Sequence, residues 1–188
     1  PLTQGGKTYS QVDLMQKIFF QTRNDLNFLA NIQYSNSSDV PRYYQLSEST
    51  VSVVDGIRQE VFRFAEWYYG PQKRFLSSLT MEYKPNDKKA FDVLSVILAY
   101  QNIEEDRIVR RFGRLTRSHQ EEDVHVGSLN VDFVKNFAQE KQGSQTVESH
   151  RLLYGLEMNY NRVNSLAYNE HVETGEIDFD AVTRYPDG

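Results

Sequence analysis

DKKAFDVLSVILAYQNIEEDRIVRRF, residues 87–112, has an apolar first half and a charged second half. Ala90, Leu94, Ile97, Gln101, Glu105 and Ile108 recur at spacings of three and four, the period of a helix with one packed stripe. Asn86 is a suitable cap at its start, and Gly113 is a plausible stop. The spacing predicts a long helix whose polar second half leaves the core or packs against something polar.

The same period is found on both sides. Upstream, Val12, Met15, Phe19, Thr22, Leu26 and Leu29 mark a helix over Tyr9 to Ile32, with Thr8 and Gln11 as its capping box. Thr50, Val54, Ile57, Val61, Phe64 and Tyr68 mark a second, opened by Ser47 or Ser49 and ended by Gly70-Pro71. Pro71 then opens a short helix through Phe75, Leu76 and Leu79. Downstream, residues 114–129 show no period and read as a long connection. Asn130 caps a short helix through Val134, Phe137 and Ala138, ended by Gly143. Thr146 caps the last one, with Glu148 in its first turn and a seam of Leu152, Leu156, Asn159, Val163 and Leu166. The expectation is an all-α bundle of five to six helices over residues 1–172, with the 114–129 connection and an extended acidic C-terminal arm over 173–188.

A chain of 188 residues with 39% apolar and 25% charged content is not a disordered polyelectrolyte. It has no cysteine, which excludes a disulfide scaffold, a thiol nucleophile and cysteine-ligated metals. No 18-residue apolar run occurs, so no transmembrane helix and no membrane partner are expected. The first seven residues, Pro1 to Lys7, lack a signal-peptide layout, and Gly5-Gly6-Lys7 lacks the spacing of a phosphate loop. The expected setting is soluble, intracellular or part of a virus particle.

The net charge is -5. From Glu170 to Gly188 six acids face one base, which accounts for all of it and leaves residues 1–169 neutral. Inside that neutral body, Arg107, Arg110, Arg111, Arg114 and Arg117 crowd into eleven residues. On a helix they share a broad face, suited to an anionic partner or a nucleic-acid backbone. Trp67 and Tyr69 lie off the main stripe and are expected at an interface. Ile177, Phe179 and Val182 punctuate the acidic arm, as a docking strand would. Glu122-Asp123-Val124-His125 matches half of a carboxylate-bridged metal motif, but the second half is absent. No catalytic motif stands out, and no cofactor is expected.

These readings favour a non-enzymatic structural or assembly subunit in a homo-oligomer or a complex with other structural proteins. A viral or phage ring or connector component is one such setting. The alternatives are a nucleic-acid-binding accessory protein using Arg107–Arg117, and a small helical enzyme or metal protein.

Overall fold

The computed structural model describes residues 9–54, 56–87, 90–142 and 145–185, and the side chains of 54 and 138–149 are outside that description. The expected helix bundle is not what forms. Among the described residues the only α-helix is the four-residue α1 (Tyr43–Leu46), and nearly everything else is antiparallel strand. The strands are β1 (Gln11–Arg23), β2 (Leu26–Ser37), β3 (Val40–Pro41), β4 (Ser49–Val54), β5 (Ile57–Phe62), β6 (Phe64–Tyr83), β7 (Val93–Arg111), β8 (Thr116–Gln142), β9 (Gln145–His171) and β10 (Ile177–Asp178). One sheet takes the order β1-β2-β6-β7-β8-β9-β10, with β3 added beside β6. The pair β4–β5 stands apart as a two-stranded hairpin.

The physical reason lies in the period. Helical and strand patterns share every fourth residue, so Leu152 and Leu156 fit both. What separates them is the residue between, and Tyr154 is apolar too. Along β9, Leu152, Tyr154, Leu156, Met158 and Tyr160 alternate with Leu153, Gly155, Glu157 and Asn159. That is largely the period-2 alternation of a strand with two different faces. The content of 12 Tyr and 11 Phe points the same way, because aromatic side chains pack well on a pleated surface.

The punctuation is reassigned with the strands. Gly113 does not stop a helix. It sits in the tight connection between β7 and β8 with φ at 70°, a left-handed conformation that glycine adopts without strain. The expected long connection at 114–129 is mostly the start of β8, paired with β7 from Arg117 onward. Gly70-Pro71 does not end an element either. β6 runs through it with a register shift between Gly70 and Lys73, since proline has no N–H to give the ladder. The Gln72 N–H there donates to Ser37 Oγ at 3.1 Å. The expected caps at Thr8 and Gly143 and the Gly5-Gly6-Lys7 stretch lie outside the described residues, as do the side chains of Thr146 and Glu148.

Among the described residues no second layer covers this sheet. Ala167 is the one buried apolar residue among those described, while Leu98, Leu156 and Met158 are each more than half exposed. A sheet ordinarily buries one face against another element. Here the pairing supplies the order, and the faces are left for something else to cover.

Candidate functional site

The registers fix which side chains share a face. Ile18, Ala30, Leu79, Leu98, Leu129 and Met158 form one row across six strands. Phe20, Phe28, Met81, Val96, Val131 and Leu156 form the next on the same face. Arg23, Leu26, Tyr83, Leu94, Phe133 and Tyr154 form a third, charged only at Arg23 on the edge strand. On the other face the intervening rows are Lys17, Asn31, Ser78, Ala99, Ser128 and Asn159, then Phe19, Leu29, Thr80, Ile97, Asn130 and Glu157, which is half apolar, and then Gln21, Asn27, Glu82, Ser95, Asp132 and Gly155. One face is therefore an apolar band, and the other is largely polar at the same height.

Aromatic residues mark both rims of the band. At one rim Phe133 stacks on Tyr154 at 4.9 Å, Phe91 meets Phe133 edge-on at 5.3 Å, and Tyr83 meets Phe91 at 6.4 Å. At the other rim lie Tyr34, Phe75, Tyr100 and Tyr160. Phase with the band is kept, since Tyr100 is two residues beyond Leu98 and Tyr160 two beyond Met158. The Tyr100 hydroxyl is 2.8 Å from His125 Nδ1, so a polar tip ends an apolar body. From Leu26 to Tyr34, and again from Leu152 to Tyr160, the band takes nine residues. Eight steps of about 3.3 Å give a band about 26 Å tall along the strand.

Beyond the second rim the same face becomes charged. Glu104 and Asp123 lie on one row and Asp106 and Glu121 on the next. Burial, then the neighbouring Glu121 charge, pushes Asp106 up to about 6. Further out Glu66 accepts from Arg117 Nε at 2.6 Å and Arg110 Nε at 2.9 Å, and Glu170 accepts from Arg117 Nη1 at 3.1 Å. The Arg117 hydrogen bond, with help from Arg110, holds Glu66 below the usual carboxylate range. His119 Nε2 lies 2.9 Å from Glu170 Oε2 and its ring stacks on Tyr168 at 4.5 Å. Burial, then the hydrogen bond to Glu121, pushes the Tyr168 hydroxyl up to about 12.

Compared with known proteins, the chain matches no protein-family model, no curated protein and no solved structure.

The residues singled out in the sequence fall in several places. The five arginines do not share a face. Arg110 and Arg117 are neighbours on the band side and are occupied by Glu66 and Glu170. Arg107 lies on the opposite side, and Arg114 is in the β7–β8 turn. Arg111 pairs with Phe64 at the end of β6. Trp67 and Tyr69 meet edge to face at 5.2 Å and are joined by Arg107. In the C-terminal segment Ile177 pairs with Glu170, Phe179 tilts onto Tyr168 at 5.9 Å, and Val182 is exposed. Glu122 and His125 are three apart on a strand and point to opposite faces. Among the described residues no group of His, Asp and Glu is placed to hold a metal ion.

The band itself escaped sequence reading. Its signal was present as alternation in Leu152–Tyr160 and in Leu94, Val96, Leu98 and Tyr100. No described helix is long and apolar enough to cross a membrane. A strand has a different requirement, about 9–11 residues.

Proposed function

We propose that this chain forms part of the wall of a transmembrane β-barrel, with the Ile18–Met158 and Phe20–Leu156 rows facing lipid and the Lys17–Asn159 row facing a polar interior. The observation that carries this reading is the band: its two central rows are uncharged and continuous across six strands, and on β2 and β9 it runs about 26 Å along the strand between aromatic rims. A membrane barrel wall has those properties, with an outward apolar belt about 25 Å tall, aromatic girdles and a polar interior. A hydrocarbon layer supplies what the sheet lacks, a cover for its apolar face. Continuous hydrogen bonding within the sheet supplies what a hydrocarbon layer demands of a backbone.

The same reading states what is missing. Among the described residues β1 pairs only with β2, and β9 pairs with β8 and, at two residues, β10. Six long strands are fewer than the eight of the smallest single-chain barrels. Closure then requires further strands, from more polypeptide or from other copies. An unpaired edge in hydrocarbon would leave a row of N–H and C=O groups without partners. The function is thus architectural: enclosing a polar passage or binding chamber.

The test is folding of the full chain with and without lipid. Strand-type circular dichroism and a cooperative transition are expected in phospholipid vesicles or detergent, and collapse or aggregation in buffer alone. A stable fold in buffer that leaves vesicles unoccupied would overturn the membrane reading. The unpaired edges also fit the assembly subunit expected from the sequence, with the band covered by another protein. That second reading predicts a lipid-free oligomer of defined size.

A further inference from the structure

We propose that Arg42 and Arg107, mounted on Trp67 and Tyr69, form a binding site for an oxyanion, a carboxylate or phosphate group of a solute. The site lies on the sheet face opposite the apolar band. Tyr69 pairs with Arg107 and Trp67 with Val109, all on the polar-face parity of β7. Arg107 is seven residues beyond Tyr100, about 23 Å along the strand from the band's rim.

Four observations converge. The Arg42 guanidinium lies 4.8 Å from the Trp67 ring centroid, 5.3 Å from that of Tyr69 and 4.5 Å from that of Tyr44. Arg107 lies 5.8 Å from Trp67 and 5.3 Å from Tyr69. Each guanidinium being 5.3 Å from one ring, the two are at most about 10.6 Å apart, twice that distance. Arg42 Nη1 also donates to the Tyr69 hydroxyl at 2.6 Å, which fixes its fork.

The charges are not neutralised from within. Arg110 and Arg117 nearby each reach a carboxylate, yet neither Arg42 nor Arg107 forms an ion pair among the described residues. The partners across from Arg107 are Tyr69 and Gln120, not acids. Its Nε is shielded from solvent and has no acceptor. A guanidinium stays charged at any ordinary pH, and a shielded donor without an acceptor is costly. Stacking on Trp67 and Tyr69 offsets part of that cost through their ring faces. An oxyanion offsets the rest, since two forks can each give it paired, charge-assisted hydrogen bonds. Lysines would not reproduce this, because an ammonium has no planar fork.

Trp67 is the only tryptophan of the chain, so its fluorescence reports this site and no other. The experiment titrates the full chain, in the lipid or detergent in which it folds, with sodium phosphate, sodium succinate and, at matched ionic strength, sodium chloride. A saturable change is expected with phosphate, succinate or both, and not with chloride. Whichever saturates assigns the chemical source. Arg42→Gln and Arg107→Gln should each weaken it at least about tenfold, the loss of one charge-assisted pair. Arg58→Gln, on the separate β4–β5 hairpin, should leave it unchanged. If Arg107→Gln does not fold, Arg107→Lys keeps the charge without the fork and should still weaken binding. The proposal is overturned if chloride reproduces the change, if no oxyanion saturates, or if only one of the two arginines matters. The readout does not depend on what covers the band, so its failure is separable from that of the membrane reading.

Discussion

Leu98 on β7 lies directly across from Leu129 on β8, and the row through them continues to Leu79 on β6 and Met158 on β9 without a polar residue. One residue along, Ala99 lies across from Ser128, and that row is polar except at Ala99 itself. The contrast between these neighbouring rows is the basis of the functional reading, and a charge placed on each tests it. Leu98→Arg should cost about 2–4 kcal/mol of folding stability in a bilayer, the scale for a cation near the midplane of a barrel wall. Ala99→Arg should cost less than about 1 kcal/mol. Urea unfolding from phospholipid vesicles measures both.

The Glu66 cluster gives stability a dependence on acid. Glu66 titrates below its ordinary 4.5 because Arg117, then Arg110, hydrogen-bonds its ionised form. A carboxylate with a depressed folded value contributes stability above its unfolded value and loses it as pH falls through the folded one. Glu66→Gln should therefore destabilise by about 1 kcal/mol at pH 7. The difference from the native protein should shrink steadily below about pH 4.5. Denaturant titrations at pH 7 and pH 3 give the two values.

Asp106 predicts the opposite sign. Its folded value is raised to about 6 from 3.8 by burial and by Glu121. The folded state then favours the protonated form, an advantage present below 3.8 and lost as pH rises through about 6. Ionised Asp106 burdens the sheet at neutral pH. Asp106→Asn should raise stability at pH 8, and the gain should disappear by about pH 4. Melting temperatures across that range measure it.

Gly155 is fixed by close approach, not by a turn. A Cβ built on it would run into the carbonyl oxygen of Val131 and lie 2.7 Å from Asp132 Oδ1. The backbone of β8 cannot yield as a flexible side chain does. Gly155→Ala should cost about 1–3 kcal/mol, the usual scale for overpacking. Gly127, with open space around it, should accept alanine with little change. Paired stability measurements on the two variants check this.

Part of this architecture was legible in the sequence. The charged second half of residues 87–112 does leave the apolar region, as its polarity implied, but along a strand. Trp67 and Tyr69 were singled out together as interface residues and Arg107 separately as part of a basic cluster, and the three meet in space. The fold was not read, because the apolar run Val93–Ala99 feeds a helical stripe as readily as two strand faces. Leu94 and Ile97 belong to opposite faces of β7. The decisive signals were the alternation of Leu152–Tyr160 and the Asp55-Gly56 dipeptide between Val54 and Ile57, a strong hairpin signature. The joint band could not be read at all from one segment. It exists only once the registers align Ala30, Leu79, Leu98, Leu129 and Met158, which come from distant parts of the chain.

The absence of cysteine allows the central claim to be tested residue by residue. Single cysteines at positions 95 to 100 of β7, in the full chain folded into phospholipid vesicles, would carry a nitroxide label. Collision rates with oxygen, which concentrates in hydrocarbon, and with a water-soluble nickel complex would then be measured at each. The barrel-wall account predicts a period of two: oxygen dominant at Val96 and Leu98, the nickel complex dominant at Ser95, Ile97 and Ala99, and mixed access at Tyr100. Equal nickel access at all six positions, or protection from both reagents at Val96 and Leu98, would contradict it.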